Sequence, residues 1–126
     1  MTLVLDAGAF IAVERNDRMV LALLKRELLA GRAPITHGGV VGQVWRGGAG
    51  RQAGLARFLH GVEVAPLDDE LGRRAGLLLR ASNTADVVDA ALILLTREGD
   101  QLLTSDVGDL LPLAAAARAD VELVPV

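Results

Sequence analysis

The sequence contains no cysteine, no tyrosine and only one lysine, Lys25. Without cysteine the chain cannot form disulfides or thiolate metal sites, and we expect a cytoplasmic protein. Its aromatic residues are limited to Phe10, Trp45 and Phe58, which are too few for a platform that stacks nucleic-acid bases. No apolar run reaches the roughly 18 residues that a membrane-spanning helix needs, so we expect no membrane partner. Any metal site must therefore use oxygen ligands or one of two histidines.

The chain has 126 residues, of which 52% are hydrophobic, and we expect one folded domain over residues 1–126. Short apolar runs predict strands at 3–5, 33–36, 62–67, 101–104 and 121–124. Helical spacing predicts helices at 7–12, 19–29, 40–45, 51–60, 68–81, 84–99 and 109–118, with Asp68 and Thr84 as N-caps. This alternation predicts an α/β fold, a three-layer α/β/α sandwich around a central parallel sheet of four to five strands.

Asp89 lies in an otherwise apolar helical segment, from Ala85 to Leu95, that contains only one other charge, Asp86. An unpaired buried carboxylate is costly, or it is neutralised by a shift in its pKa. A positive partner is therefore expected near Asp89, and most of the arginines lie elsewhere in the chain. A bound divalent cation is the simplest partner, and a buried arginine or amide is the alternative.

Two further aspartates, Asp6 and Asp106, each follow a predicted strand. Because ligands bind at the carboxyl ends of parallel strands, we expect both side chains at one edge of the sheet, with Asp89 projecting over it. Converging carboxylates repel one another unless a cation neutralises them. Oxygen ligands without sulfur favour Mg²⁺ or Mn²⁺, and a water activated by such an ion makes phosphodiester hydrolysis the natural chemistry.

Each acidic residue also has an ordinary structural explanation. Asp6 follows a strand, where aspartate is common in turns and helix caps. Asp86 fits a first-turn carboxylate that the helix dipole stabilises. Asp109 fits the N-cap or the first position of the last helix. Ser105 and Asp106 have the composition of an ordinary turn after a strand.

The arginines form two groups along the chain: Arg46, Arg51 and Arg57, and then Arg73, Arg74 and Arg80. Either group could border a path for phosphates, or could form an ordinary solvated helix face. The net charge of -3 does not decide between these interpretations, because the distribution of charge matters more than its sum.

Four segments have the composition and order that are typical of one family of nucleases. Leu3 to Ala12 resembles an opening strand that ends in a metal-binding aspartate. Asp86 to Ala90 resembles the segment with the central aspartate, and Asp89 is the better match because alanine follows it. Leu102 to Asp106 resembles the family's last strand with an acidic residue at its end, and Val121 to Val126 resembles the closing strand. Over almost its whole length the chain thus resembles the PIN-domain nucleases, particularly the VapC-type toxins of toxin–antitoxin pairs.

This resemblance implies that Asp6, Asp89 and Asp106 hold Mg²⁺ (or Mn²⁺), while a water bound to the ion attacks the phosphodiester. It also implies an RNA substrate, a cognate antitoxin protein that covers the acidic edge, and a homodimer. The candidates for supporting roles around the three aspartates are Gln43, Asp86, Asp109 and Ser105.

Gln43 departs from the family pattern, which has a glutamate in the helix after the second strand. Glutamine keeps the size and an acceptor oxygen but removes a full negative charge. We expect this change to weaken Mg²⁺ binding and to disfavour deprotonation of a bound water. The alternative is that Gln43 simply faces solvent near Trp45 and has no role at the site. Two hypotheses follow: a weakened Mg²⁺-dependent endoribonuclease, and a catalytically impaired protein of the same fold that acts by binding an antitoxin-like protein or RNA.

Overall fold

Five parallel strands form one sheet in the computed structural model of the protein, which describes residues 1–126. The strands are β1 (Leu3–Leu5), β2 (Ile35–His37), β3 (Glu63–Ala65), β4 (Asp100–Thr104) and β5 (Val121–Pro125). Their order across the sheet is β3-β2-β1-β4-β5, and every neighbouring pair is parallel. The predicted parallel α/β sheet is confirmed, with five strands.

Seven α-helices cover the sheet. They are α1 (Ala7–Glu14), α2 (Arg18–Leu29), α3 (Gly38–Val44), α4 (Ala53–Leu59), α5 (Asp69–Ser82), α6 (Val87–Leu95) and α7 (Val107–Ala117). A 3₁₀ turn, Gly50–Gln52, precedes α4. Helix α1 packs against α2, α3 and α4, whereas α5, α6 and α7 pack against one another. The helices thus form two separate layers around the sheet, which gives the predicted α/β/α sandwich.

The strand order changes direction between β1 and β4. From β1 the chain moves outward to β2 and β3, and it then returns across the sheet to β4 and β5. Because crossovers between parallel strands are right-handed, this reversal sends the early helices to one face and the late helices to the other. Leu5 pairs in register with Leu103, so the carboxyl ends of β1 and β4 lie side by side. In open α/β sheets this switch point is where ligands bind.

The hydrophobic core surrounds the central strands. All three residues of β1 are buried, as are Leu102 and Leu103 of β4, and 22 buried apolar residues form a single cluster. In the early helical layer, Phe10 of α1 contacts Phe58 of α4, with ring centroids 5.8 Å apart. A strand covered on both faces needs apolar side chains in both directions, which explains the continuous apolar runs of β1 and β4.

The predicted start and end of α6 were wrong. Asp86, not Thr84, is its N-cap, because Asp86 Oδ1 accepts a hydrogen bond from the amide of Asp89 at 3.1 Å. The hydroxyl of Thr84 is paired with a neighbouring serine instead. The helix ends at Leu95 rather than near Gly99, since the chain becomes extended at the next residue.

The last helix also begins earlier than predicted. Asp109 lies within the first turn of α7 and not at its N-cap or first position. Asp106 holds the N-cap position, although its side chain accepts no capping hydrogen bond. The cap predicted for α5 is confirmed, because Asp68 Oδ1 accepts a hydrogen bond from the amide of Leu71 at 2.9 Å. None of the helices has the length and apolar character needed to cross a lipid bilayer.

Candidate active site

Asp6 lies directly after β1 and is the N-cap of α1. Its Oδ1 accepts a hydrogen bond from the amide of Ala9 at 3.1 Å, and its Oδ2 accepts one from the amide of Ser105 at 3.3 Å. These bonds hold the carboxylate in one orientation between the ends of β1 and β4. Burial raises the pKa of Asp6, and hydrogen bonds from Thr104 and nearby amides offset only part of that effect. Asp6 is therefore both a helix cap and a buried carboxylate at the switch point.

The loop after β4 is held closely against α1. The hydroxyl of the buried Thr104 accepts a hydrogen bond from the amide of Asp106 at 2.8 Å. Gly8 permits the close approach, because a Cβ at that position would lie 2.5 Å from Ser105 Oγ and 2.9 Å from Ser105 N. Ser105 thus contributes its backbone amide to the carboxylate of Asp6. The side chain of Asp106 is exposed at the same edge.

Asp89 projects from the first turn of α6 into a cleft between α6 and α7. The cleft has a volume of 240 Å³, and Asp86 and Asp109 also line it. Desolvation of the partly buried carboxylate, together with nearby negative charges, raises the pKa of Asp89 to about 6. In decreasing order of effect, these charges belong to Asp86, Asp6, Asp106 and Asp109. The fold therefore brings Asp6, Asp89 and Asp106 within electrostatic reach of one another, together with two of the predicted supporting residues.

No basic side chain is paired with this concentration of negative charge. The ion pairs of the protein join Glu27 to Arg26 and Arg32, and Asp69 to Arg73. No ion pair includes any of the five aspartates at the carboxyl edge of the sheet, which are Asp6, Asp86, Asp89, Asp106 and Asp109. The arginine that could have explained Asp89 is thus absent from its surroundings, and the chain itself does not supply the positive partner.

The five carboxylates share an edge without forming a ready coordination shell. No three histidine, aspartate or glutamate side chains are arranged so that they could hold a metal ion as they stand. Coulomb interactions act over longer distances than coordination bonds, so the raised pKa of Asp89 and the missing shell are compatible. Like charges without a cation also favour separation of the side chains. The donor set fits Mg²⁺ or Mn²⁺ in its chemistry, since it offers only oxygen and carries no counter-charge.

His37 has a role that the sequence did not predict. It is the N-cap of α3, where its Nδ1 accepts a hydrogen bond from the amide of Gly39 at 3.0 Å. Its Nε2 donates to the carbonyl of Val88 at 2.9 Å. The two bonds together require a neutral ring with its proton on Nε2, and burial correspondingly lowers the pKa of His37. The ring ties the end of β2 to α6 at the residue before Asp89.

Gln43 lies in α3 with its side chain exposed. The amide makes no hydrogen bond to Asp6 or to any of the other aspartates at the edge. Helix α3 begins at the end of β2, on the same edge of the sheet as β1 and β4. Gln43 therefore lies on an element next to the acidic group, with its side chain exposed and without a hydrogen bond to the aspartates.

No protein-family profile matches the sequence, and no curated protein is similar to it. The fold nevertheless has a solved counterpart. One solved structure is the crystal structure of VapBC2 from Rickettsia felis bound to a DNA fragment from the VapBC2 promoter. A chain of that structure superposes on this protein with a TM-score of 0.70. The match covers 100% of this chain and 99% of that chain, at 13% sequence identity. At this identity the similarity shows the fold alone, and it agrees with a PIN-like three-layer α/β/α fold.

Proposed function

We propose that this protein is a metal-dependent endoribonuclease of the toxin type, which hydrolyses RNA phosphodiester bonds. The observation that carries the proposal is the group of five aspartates at the switch point of a VapC-like fold, with no basic side chain paired to them. In a nuclease, a group of carboxylates is useful because it holds a cation, and that cation in turn contacts the phosphate of the substrate. A protein that merely bound RNA would be hindered by the same carboxylates, because they repel phosphates.

Asp6, Asp89 and Asp106 are the residues that would hold Mg²⁺ or Mn²⁺. When bound, such an ion supplies charge for the phosphate oxygens and lowers the pKa of a water molecule. Hydrogen bonds from the backbone amides of Ala9 and Ser105 already hold the carboxylate of Asp6, so this residue can act as the rigid part of the site. Asp89 and Asp106 have no such bonds and can move towards an ion. Asp86 and Asp109 add negative charge beside Asp89.

The ionisation of Asp89 should depend on the cation. Without an ion the pKa of this carboxylate is about 6, so part of it is protonated just below neutral pH. Entry of a cation would keep this carboxylate ionised, because opposite charge lowers the pKa of an acid. His37 supports the residue indirectly through its bond to the Val88 carbonyl.

An apolar groove between α2 and α4 is our proposed site for an antitoxin. It has a volume of 460 Å³ and is lined by Leu21, Leu24, Lys25, Leu28, Leu29 and Phe58. Leu28 and Leu29 are 50% and 79% exposed, which is unfavourable unless a partner covers them. One apolar helix face of this kind suits an amphipathic helix of a partner protein. The structural neighbour comes from a VapBC2 assembly, and we extend that partnership, and the homodimer implied by the resemblance, to this chain as a proposal.

Cleavage of labelled single-stranded RNA tests the proposed activity. Purified protein should cut RNA with Mg²⁺ or Mn²⁺ and not with EDTA, and matched DNA should be cut less. Asp89→Asn should lower the rate by about 100-fold or more, because it removes a charge that stabilises the ion and the transition state. Asp69→Asn is the matched control, since Asp69 is exposed in α5 and pairs only with Arg73. Equal rates for the two variants would count against the assignment.

A binding-only protein is the second candidate, and two observations favour it. Gln43 stands where the resemblance leads us to expect a glutamate, and the carboxylates do not form a coordination shell by themselves. Under this alternative the wild type cuts no RNA with either ion, whereas Gln43→Glu restores cleavage. If the wild type is active, Gln43→Glu should raise the apparent affinity for Mg²⁺ by roughly tenfold, because it returns one charge to the edge.

A further inference from the structure

Three arginines line a recess beside α1. The recess has a volume of 540 Å³ and is lined by Ile11, Glu14, Arg15, Arg46, Arg51 and Gln52. All three guanidinium groups are exposed, and none of them takes part in an ion pair. Glu14 is the only acidic residue in the lining, so the recess has an excess of positive charge.

The loop that carries Arg46 is held in a defined conformation. The Gln52 amide donates to the Val44 carbonyl at 2.6 Å, and Gln52 Oε1 accepts from the amide of Arg46 at 2.7 Å. Arg46 Nη1 donates to the carbonyls of Gly42 and Trp45 at the end of α3. Part of this guanidinium is thereby fixed as a helix C-terminal contact, and Arg46 also lines the recess. A prearranged cationic group loses less conformational entropy when it binds an anion.

A second recess adjoins the first and reaches the loop beside Asp6. It has a volume of 240 Å³, is lined by Gly8 and Ser105, and shares Ile11 and Arg15 with the first recess. Its one acidic lining residue is the exposed Asp17. Ser105 donates its amide to Asp6, so one end of this path lies at the proposed reaction site. Arg15 follows Asp6 by nine residues of mostly helical chain, which corresponds to roughly 14 Å at about 1.5 Å per residue. A chain of phosphates that leaves the acidic edge along α1 would meet Arg15 next.

We propose that Arg15, Arg46 and Arg51 bind the phosphate backbone of the RNA substrate, a few nucleotides to one side of the bond that is cut. This inference rests on the proposed nuclease function and adds a direction to the substrate path. Guanidinium groups bind phosphates through two parallel N–H bonds, and an arginine needs no base contact for this. We call these three residues, Arg15, Arg46 and Arg51, the arginine track. The track includes no aromatic side chain on which bases could stack, so we expect it to bind RNA independently of the base sequence.

An RNA backbone explains the track better than an acidic protein does. The track starts at the acidic edge, where an acidic peptide would meet five carboxylates and repulsion. A nucleic acid meets the same charges, but the cation that its cleavage requires neutralises them locally. RNA can therefore bind favourably both at the arginines and, with a cation, at the acidic edge, whereas an acidic peptide can bind favourably only at the arginines.

Binding of a short fluorescein-labelled poly(A) RNA, measured by anisotropy in EDTA, tests the proposal separately from cleavage. Arg15→Gln combined with Arg51→Gln should weaken binding by roughly tenfold, and should reduce the slope of log K against log salt by about 1.4, at about 0.7 per phosphate contact. The matched control is Arg57→Gln combined with Arg80→Gln, which removes the same charge from exposed positions outside the track. Arg15→Lys combined with Arg51→Lys should keep the wild-type slope.

The outcomes separate this inference from the proposed activity. Equal losses for the track and control pairs overturn the track, even if cleavage depends on Asp89 as proposed. A selective loss for the track pair supports it, even if no cleavage is found with Mn²⁺. Displacement of the RNA by poly-glutamate in the wild type, with unchanged RNA affinity in the track pair, would assign the arginines to an acidic protein and overturn the proposal.

Discussion

Glu27 and Asp89 are both carboxylates that the fold removes from water, and their surroundings differ in charge. Glu27 in α2 is 1% exposed, and its Oε2 accepts a hydrogen bond from Arg32 Nε at 2.7 Å. Arg26 approaches the other oxygen at 3.9 Å. Asp89 in α6 is less buried, yet it has no basic neighbour and four acidic ones. The chain neutralises the first carboxylate with its own arginines and leaves the second to be neutralised from outside.

This difference separates a structural charge from a functional one. A carboxylate that only stabilises the fold is expected to have its counter-charge on the same chain, because an uncompensated buried charge is selected against. A carboxylate that serves a reaction can keep a perturbed pKa, at a cost in stability. Removing a charged side chain should therefore lower the free energy of unfolding beside Glu27 and raise it at Asp89.

Breaking the structural pair should have the largest effect on stability. Arg32→Ala leaves Glu27 buried with only the distant Arg26, and we expect a loss of about 3 kcal/mol in the free energy of unfolding. Urea denaturation measures it. Arg73→Ala is the control, because its pair with Asp69 lies on the surface and should contribute less than about 0.5 kcal/mol. If both variants lose the same small amount, Glu27 is not held by its ion pair.

The bond between His37 and Val88 should have an intermediate effect. His37→Ala removes the N-cap of α3 and the hydrogen bond to the partly buried carbonyl of Val88, which should cost about 2 kcal/mol. Acid should act in the same direction, because a lowered native pKa means that the unfolded state binds the proton first. Stability should fall as the pH drops below about 6.5, the ordinary pKa of histidine. His37→Asn keeps a cap, and an unfolding curve equal to that of His37→Ala would show that the cap contributes nothing.

Removing the functional charge should stabilise the protein. The native pKa of Asp89 is about 6 and its ordinary value is 3.8, so between these values the folded state binds more protons than the unfolded state. Stability therefore falls as the pH rises from about 4 to about 6, and the loss persists above that range. Without added metal at pH 8, Asp89→Asn should gain on the order of 1 kcal/mol, less than the full shift implies because solvent screens a partly exposed group. At pH 4 the gain should disappear. A variant that is less stable than wild type at pH 8 would contradict this account.

The sequence predicted the acidic edge because its signals are local. Asp6 and Asp106 each follow a strand, and parallel strands bring their carboxyl ends to one edge without further information. Asp89 was recognisable from its apolar surroundings in α6. The sheet and its helices followed from hydrophobic spacing for the same reason, and their observed ends differ from the predicted ones mainly at capping residues.

The remaining features depend on contacts between distant residues. The bond from His37 to Val88 spans 51 residues, and the contact of Gly8 with Ser105 joins α1 to the loop after β4. The choice of Asp86 over Thr84 as the cap of α6 depends on how α5 ends, with Asn83 in the left-handed conformation at φ 55°. No pattern within one segment contains this information. The separation of the carboxylates also depends on side-chain positions that spacing does not determine.

Calorimetric titration of Mn²⁺ into the purified protein needs no substrate and measures directly whether the acidic edge binds a cation. We expect saturable binding to the wild type at neutral pH, with an affinity that falls by at least about tenfold in Asp89→Asn and is unchanged in Asp69→Asn. Binding of the ion should also raise the stability of the wild type, which would reverse the advantage of Asp89→Asn without metal. If wild type and Asp89→Asn bind Mn²⁺ equally, or if neither binds it, the acidic edge is not a metal site.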